Sequence, residues 1–103
     1  MIRVVIAPLA EQDLESVADY IARDNPVRAI TFVRELRGQC ERIGLNPLGY
    51  RQRQELGDGI RSCAHGNYVI YFEIEPDTLR VVRILHGARD LSGQFGQNLG
   101  KDS

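Results

Sequence analysis

The spacing of apolar residues changes period along this chain, and each change marks an element. Ile2 to Ala7 is rich in β-branched residues and stops at Pro8, which predicts a short strand. Pro8 then suits the first turn of a helix. From Leu9 the spacing becomes helical, with Leu14, Val17, Ala18 and Ile21 at i, i+3, i+4 and i+7. Glu11, Asp13 and Glu15 lie early in that helix, where negative charge complements the helix dipole. Asn25-Pro26 ends it, because the residue before a proline avoids helical angles. Pro26 opens a second helix with the stripe Ala29, Val33, Leu36, Cys40 and Ile43, and Phe32 beside it. Gly44 and Asn46-Pro47 close it. The tight joint at Asn25-Pro26 predicts an antiparallel hairpin of helices.

From Leu48 to Gly59 the chain is polar and Gly-rich, which reads as a loop around a short strand near Arg51 to Leu56. Period two then takes over. Ile60 to His65 and Tyr68 to Glu75 flank Gly66-Asn67, a hairpin-turn dipeptide. Pro76-Asp77 makes another turn, and Leu79 to His86 is the last strand. The order β-α-α-β-β-β predicts an α+β fold: an N-terminal strand and an antiparallel helix hairpin on one face of a mostly antiparallel sheet. A two-residue turn at Gly66-Asn67 sets His65 opposite Tyr68, Cys63 opposite Ile70 and Arg61 opposite Phe72. The Cys63, Ile70, Phe72, Ile74 face is expected to meet the helices. Ser62, Ala64, Val69, Tyr71 and Glu73 then look outward, onto a face left open for a partner. An odd loop at Pro76 adds Val82 and Ile84 to the core and turns Arg83 outside, which avoids an unpaired buried cation.

The length of 103 residues suits one domain, read as residues 1–95 with a frayed tail at 96–103. Hydrophobic residues at 43% and charged residues at 26% exclude a chain disordered throughout and collagen-like or mucin-like polymers. Thirteen basic against fourteen acidic side chains give a net charge of −1, which argues against a domain that coats phosphate backbones. All the cations are Arg except Lys101. Arg51, Arg53, Arg61, Arg83 and Arg89 lie in the second half. They read either as local ion pairs with Glu55, Asp58, Glu73 and Asp90, or as a surface gripping a carboxylate- or phosphate-bearing macromolecule. Cys40 and Cys63 form no disulfide framework, and with His65 and His86 they show no metal-ligand spacing. No cofactor is expected. The first apolar run is too short for a signal peptide or a membrane span, so a cytoplasmic protein with reduced thiols and no membrane contact is expected.

Candidate chemistry is sparse. The sequence has no G-x-S-x-G, phosphate loop or H-E-x-x-H. His65 beside the turn reads as a surface residue. His86 ends a core strand, where a neutral imidazole either ties down the turn at Gly87 or serves as an acid–base group. No matching carboxylate or nucleophile stands near it in sequence, which favours the structural role. Glu55 and Asp58 lie in a glycine-rich loop, where most carboxylates are simply solvated. These features describe a binding module better than an enzyme.

Six pieces in order resemble a known family. They are Pro8 with Ala10-Glu11-x-Asp13-Leu14; Tyr20-Ile21-Ala22-x-x-Asn25-Pro26-x-x-Ala29; Asn46-Pro47-x-Gly49 with Glu55-Leu56; Ile60-Arg61-Ser62; Gly66-x-Tyr68 with Ile70; and Arg83 through Leu91. Over about residues 2 to 92 the chain resembles the ParE branch of the RelE/ParE superfamily, the toxins of type II toxin–antitoxin pairs. The resemblance implies two helices against an antiparallel sheet. It also implies a growth-arresting toxin that inhibits DNA gyrase by contact. A ParD-like antitoxin would neutralise it, and nucleic acid would be reached only through that antitoxin. The target-binding candidates carried over are Arg61, Arg83, His86, Arg89 and Asp90, with no catalytic residue.

The superfamily's other branch cleaves mRNA on the ribosome. That chemistry needs a base, a cation near the phosphate and an acid for the leaving group. Where RelE-like members carry an Arg two residues before the hairpin Gly, this chain has Ala64. Their C-terminal segment carries a Tyr, and Gly87 to Ser103 here has neither Tyr nor His. Glu55 falls where some members have a catalytic Glu, and without those partners it reads as loop-stabilising. The alternatives are an endonuclease with a displaced site using Glu55, Arg61 and His86, and an inactive toxin that only holds the antitoxin.

Overall fold

The computed structural model describes residues 2–88. In chain order it has β1 (Arg3–Ile6), α1 (Pro8–Ala22), α2 (Pro26–Ile43), a 3-10 turn (Pro47–Gly49), β2 (Arg51–Gln52), β3 (Ile60–His65), β4 (Tyr68–Ile74) and β5 (Thr78–His86). The expected α+β order is present. One sheet runs β1-β5-β4-β3-β2. β1 is parallel to β5, and every other pair is antiparallel.

Both helices begin on proline, whose missing N–H costs nothing in a first turn. The Asn25 side chain accepts the Arg28 N–H at 3.0 Å and caps α2. Arg37 of α2 donates two bonds to Glu11 of α1, at 2.8 and 3.2 Å, and ties the hairpin across its exposed side. Beneath it Ala10, Leu14 and Val17 of α1 and Phe32, Leu36, Cys40 and Ile43 of α2 meet the sheet. The sheet contributes Cys63, Ile70, Phe72, Leu79, Val81 and Ile84. Burying these side chains supplies most of the driving force for the fold.

The β3–β4 register is the one the turn dipeptide demands, with His65 opposite Tyr68, Cys63 opposite Ile70 and Arg61 opposite Phe72. Gly66 sits at φ +59°, and an added Cβ there would lie 3.3 Å from the Phe32 ring. Both facts select glycine.

Four expectations about faces are corrected. Tyr71 is not solvent-facing: it is buried with Ile60 and Leu85, and Leu56, Val69 and Val82 pack around them. The second face of the sheet therefore carries its own apolar cluster and is not an open surface. Ile74 is exposed, because it stands at the end of β4 beyond the reach of the helices. Val82 is not in the main core. The β4–β5 register slips between Tyr71 and Phe72, pairing Tyr71 with Arg83 but Phe72 with Val81, so Val82 is the extra residue of a bulge. Leu79 and Val81 before the bulge and Ile84 after it pack against the helices, while Val82 packs on the opposite cluster. Arg83 stands opposite Tyr71, off the helix-facing side, but is not left in solvent: its guanidinium reaches α1, where Asp13 neutralises it.

Candidate functional site

Asp13 lies on the apolar side of α1, three residues after Ala10 and four before Val17, and is itself buried. A carboxylate there is costly unless it is paired and hydrogen-bonded. Arg83 meets it in a fork, Nε to Oδ2 at 2.8 Å and Nη2 to Oδ1 at 2.9 Å. The Ile84 N–H gives a third bond to Oδ2 at 2.9 Å. The guanidinium's own hydrogen bonding to Asp13 raises the Arg83 pKa above its ordinary value, against the opposing cost of burial. The cluster welds the start of α1 to the second half of β5.

Above it runs a trough between α1 and the ends of β4 and β5. Its first part is a groove of about 380 Å³ lined by Gln12, Asp13, Ser16, Val17, Tyr68 and Arg83 through His86. Its second part, about 410 Å³, is lined by Tyr20, Ile21, Arg28, Phe32, Gly66, Asn67, Tyr68 and His86. Tyr68 and His86 line both, so the two parts adjoin at these rings. The His86 ring stands edge-on to Tyr68 at 5.3 Å, and its Nδ1 accepts the Ala88 N–H at 3.1 Å. Tyr68 in turn packs against Phe32 at 5.7 Å, and the Arg28 guanidinium lies 5.0 Å from the Phe32 ring centre. Burial raises the Tyr68 pKa, so its hydroxyl stays protonated at neutral pH.

The residues singled out in the sequence do not converge. Arg83 and His86 share the trough. Arg61 is on β3, where its Nη1 donates to the Tyr50 carbonyl at 2.7 Å and pins the approach to β2. Tyr50 meets Phe72 edge-on at 5.9 Å. Glu55 accepts from Arg53 Nε at 2.7 Å, and Arg53 also reaches Ser62 at 3.4 Å and lies 5.7 Å from the Tyr71 ring centre. The Arg53 hydrogen bond holds the Glu55 carboxyl below the usual glutamate range, which makes it a poor general base near neutral pH. Arg89 and Asp90 lie outside the described residues. Among the described residues no group of His, Cys, Asp and Glu could hold a metal ion, and no helix is long and apolar enough to cross a membrane.

Sequence reasoning missed Asp13 as the partner of Arg83. The available signal was an acid standing on an apolar helical stripe.

The model of the family described as "ParE toxin of type II toxin-antitoxin system, parDE" matches residues 4–91. The chain belongs to that family. It is the toxin of a type II toxin–antitoxin system. Toxin ParE1 of Caulobacter vibrioides is 26% identical over 88 residues, which cover 84% of this chain and 91% of that protein. Among solved structures, one of a chromosomal ParDE TA system from P. aeruginosa superposes with a TM-score of 0.73 at 17% identity. It covers 84% of this chain and 96% of that one. The RelBE2 toxin–antitoxin complex of Mycobacterium tuberculosis gives a TM-score of 0.56 at 22% identity, covering 82% and 96%. At these identities the two structures show a shared fold. Within that fold the ParE-family toxin places its Asp13–Arg83 pair inside the region the family model spans.

Proposed function

We propose that this toxin arrests growth by binding DNA gyrase, without catalysis of its own, and that a ParD-like antitoxin encoded beside it holds it silent. The family match over residues 4–91 carries this reading. The state of the nuclease-like positions supports it. Glu55 is engaged by Arg53, Arg61 by the Tyr50 carbonyl and Arg83 by Asp13, on separate parts of the sheet. A base, a cation and an acid around one phosphate require convergence. Antitoxin binding has a matching surface in the apolar seam of the helix hairpin. A groove of about 410 Å³ there is lined by Ala18, Ala22, Pro26, Ala29, Ile30 and Val33, with Asp19 as its one charged residue. Ile30, Val27 and Tyr20 stand exposed around it, a pattern typical of a helix-docking surface.

Induction of the toxin alone in culture tests the reading. It should stop growth with double-strand breaks and a DNA-damage response while translation continues, and co-expression of the neighbouring antitoxin should restore growth. Arrest with immediate loss of translation and intact DNA would favour the ribosome-directed branch.

A further inference from the structure

The two edges of the sheet are built differently. The far edge is β2, made of the exposed residues Arg51 and Gln52. A short, charged edge of that kind discourages further pairing. The near edge is β1, and it lacks such guards. It has neither a proline nor a bulge, and Arg3 is its one charged residue. Its ladder fixes which backbone groups face outward. The Arg3 N–H donates to the Asp77 carbonyl at 3.4 Å and the Ala7 N–H to the Val81 carbonyl at 2.9 Å. Residues 3, 5 and 7 therefore bond to β5, while Ile2, Val4 and Ile6 turn their N–H and C=O to the outside. Among the described residues nothing bonds to the Val4 backbone on that side.

A hydrophobic groove runs beside this edge. Ile2 and Val4 pack on the helix-facing core but are only partly buried. With Glu41, Arg42, Gly44 and Leu45 they line a groove of about 200 Å³ at the end of α2. Gly44 permits that close packing, because a Cβ there would lie 2.8 Å from Val4 Cγ2. Leu45 stands on the lip, 74% exposed.

Self-complementarity selects the occupant. An antiparallel partner strand centred on Val4 sets Val4 opposite the second copy's Val4, where the two exchange both N–H···O bonds. Ile2 then meets the second copy's Ile6, and Arg3 meets Val5, so no like charges oppose each other. The lip is complementary to itself as well. Glu41 and Arg42 are adjacent, and neither is in an ion pair among the described residues; Arg42 is held by the neutral Gln39 amide at 2.7 and 3.1 Å. A two-fold axis brings Glu41 of each copy toward Arg42 of the other. The net charge of −1 sets little long-range repulsion between copies.

We propose that β1 is a dimerisation edge: two copies of this chain pair β1 to β1 about a two-fold axis at Val4, with Leu45 of each closing over Ile6 of the other. The contact lies at the opposite end of α2 from the groove around Pro26 and Ile30, so it depends on neither the antitoxin nor the gyrase reading. A strand this short with one flanking leucine belongs at the small end of specific interfaces, so the dimer should form at about 10–100 μM.

The test is sedimentation of the full-length toxin over a concentration series of about 1–500 μM, with amide exchange by NMR on the same samples. The mass should rise from monomer to dimer, and exchange of the Val4 N–H should slow about tenfold or more across the series. Val4→Pro deletes the outward N–H and keeps the bonds to β5, and Leu45→Glu charges the exposed lip. Each should weaken dimerisation about tenfold or more while the circular dichroism stays native. Glu41→Arg and Arg42→Glu should each weaken it, and the two together should restore it. A toxin that stays monomeric throughout the series overturns the proposal. A dimer left intact by both Val4→Pro and Leu45→Glu overturns it too, because it uses another face. So does a Val4 N–H protected at the lowest concentration, because another part of this chain then covers the edge.

Discussion

Asp13 decides more than any other single residue. It is buried, it carries charge, and its three bonds go to a strand 70 residues away. Asp13→Ala leaves the Arg83 guanidinium and the Ile84 N–H without their acceptor. The expected cost is about 3–5 kcal/mol, read as a lower midpoint in urea denaturation. The double variant Asp13→Leu/Arg83→Met should recover most of that loss, since an apolar pair of similar volume avoids the desolvation of two charges. Cys40 is the second informative residue. Burial pushes its thiol up to about 12, and Cys63 is raised for the same reason. The native Cys40 should therefore resist iodoacetamide at pH 8 and react fully in denaturant, as mass spectrometry will show. The sign for stability follows from the same shift. The unfolded thiol ionises first, so stability falls as pH rises from the ordinary cysteine value of 9.0 toward about 12.

At the scale of elements, the helix hairpin depends on its ends and one cross-tie. Asn25→Ala removes the side-chain cap of α2 and should cost about 1 kcal/mol in thermal or chemical unfolding. The tie between α1 and α2 is the Arg37–Glu11 pair, which is exposed and worth only a few tenths of a kcal/mol, about the usual size for such a pair. Its hydrogen bond to Arg37 nonetheless holds the Glu11 carboxyl below the glutamate value of 4.5. A lowered folded-state pKa gives stability that is present above 4.5 and fades as pH falls through the lower value. Thermal melts between pH 3 and 6 should show a smaller acid loss in Glu11→Gln than in the parent. Most elements were legible in the sequence because their signals are local: Pro8 and Pro26 at helix starts, Gly66-Asn67 at the hairpin, and a clean change of period between them. The bulge at Val82 was not legible, since an extra residue leaves no mark on an apolar run such as Leu79 to Leu85. That one insertion moved Val82 to the second face and set Arg83 opposite Tyr71, from where its guanidinium still reaches Asp13.

Across the whole molecule, the two faces of the sheet divide the labour. One carries the helices and the main core, and the other is closed by its own cluster around Tyr71. The candidate site was only partly legible for that reason. Arg61, Arg83 and His86 were visible as residues, but their partners — the Tyr50 carbonyl, Asp13 and Tyr68 — come from distant parts of the chain. All three have internal bonds that organise the surface, and the trough between α1 and β5 is a product of that organisation. The near-neutral charge agrees with a toxin that acts by protein contact. The most direct measurement is a plasmid assay with purified DNA gyrase. Micromolar toxin should block supercoiling and trap cleaved plasmid, added antitoxin should reverse both effects, and ribosome-bound mRNA should stay intact. Undisturbed gyrase together with codon-positioned cuts in mRNA would contradict gyrase inhibition.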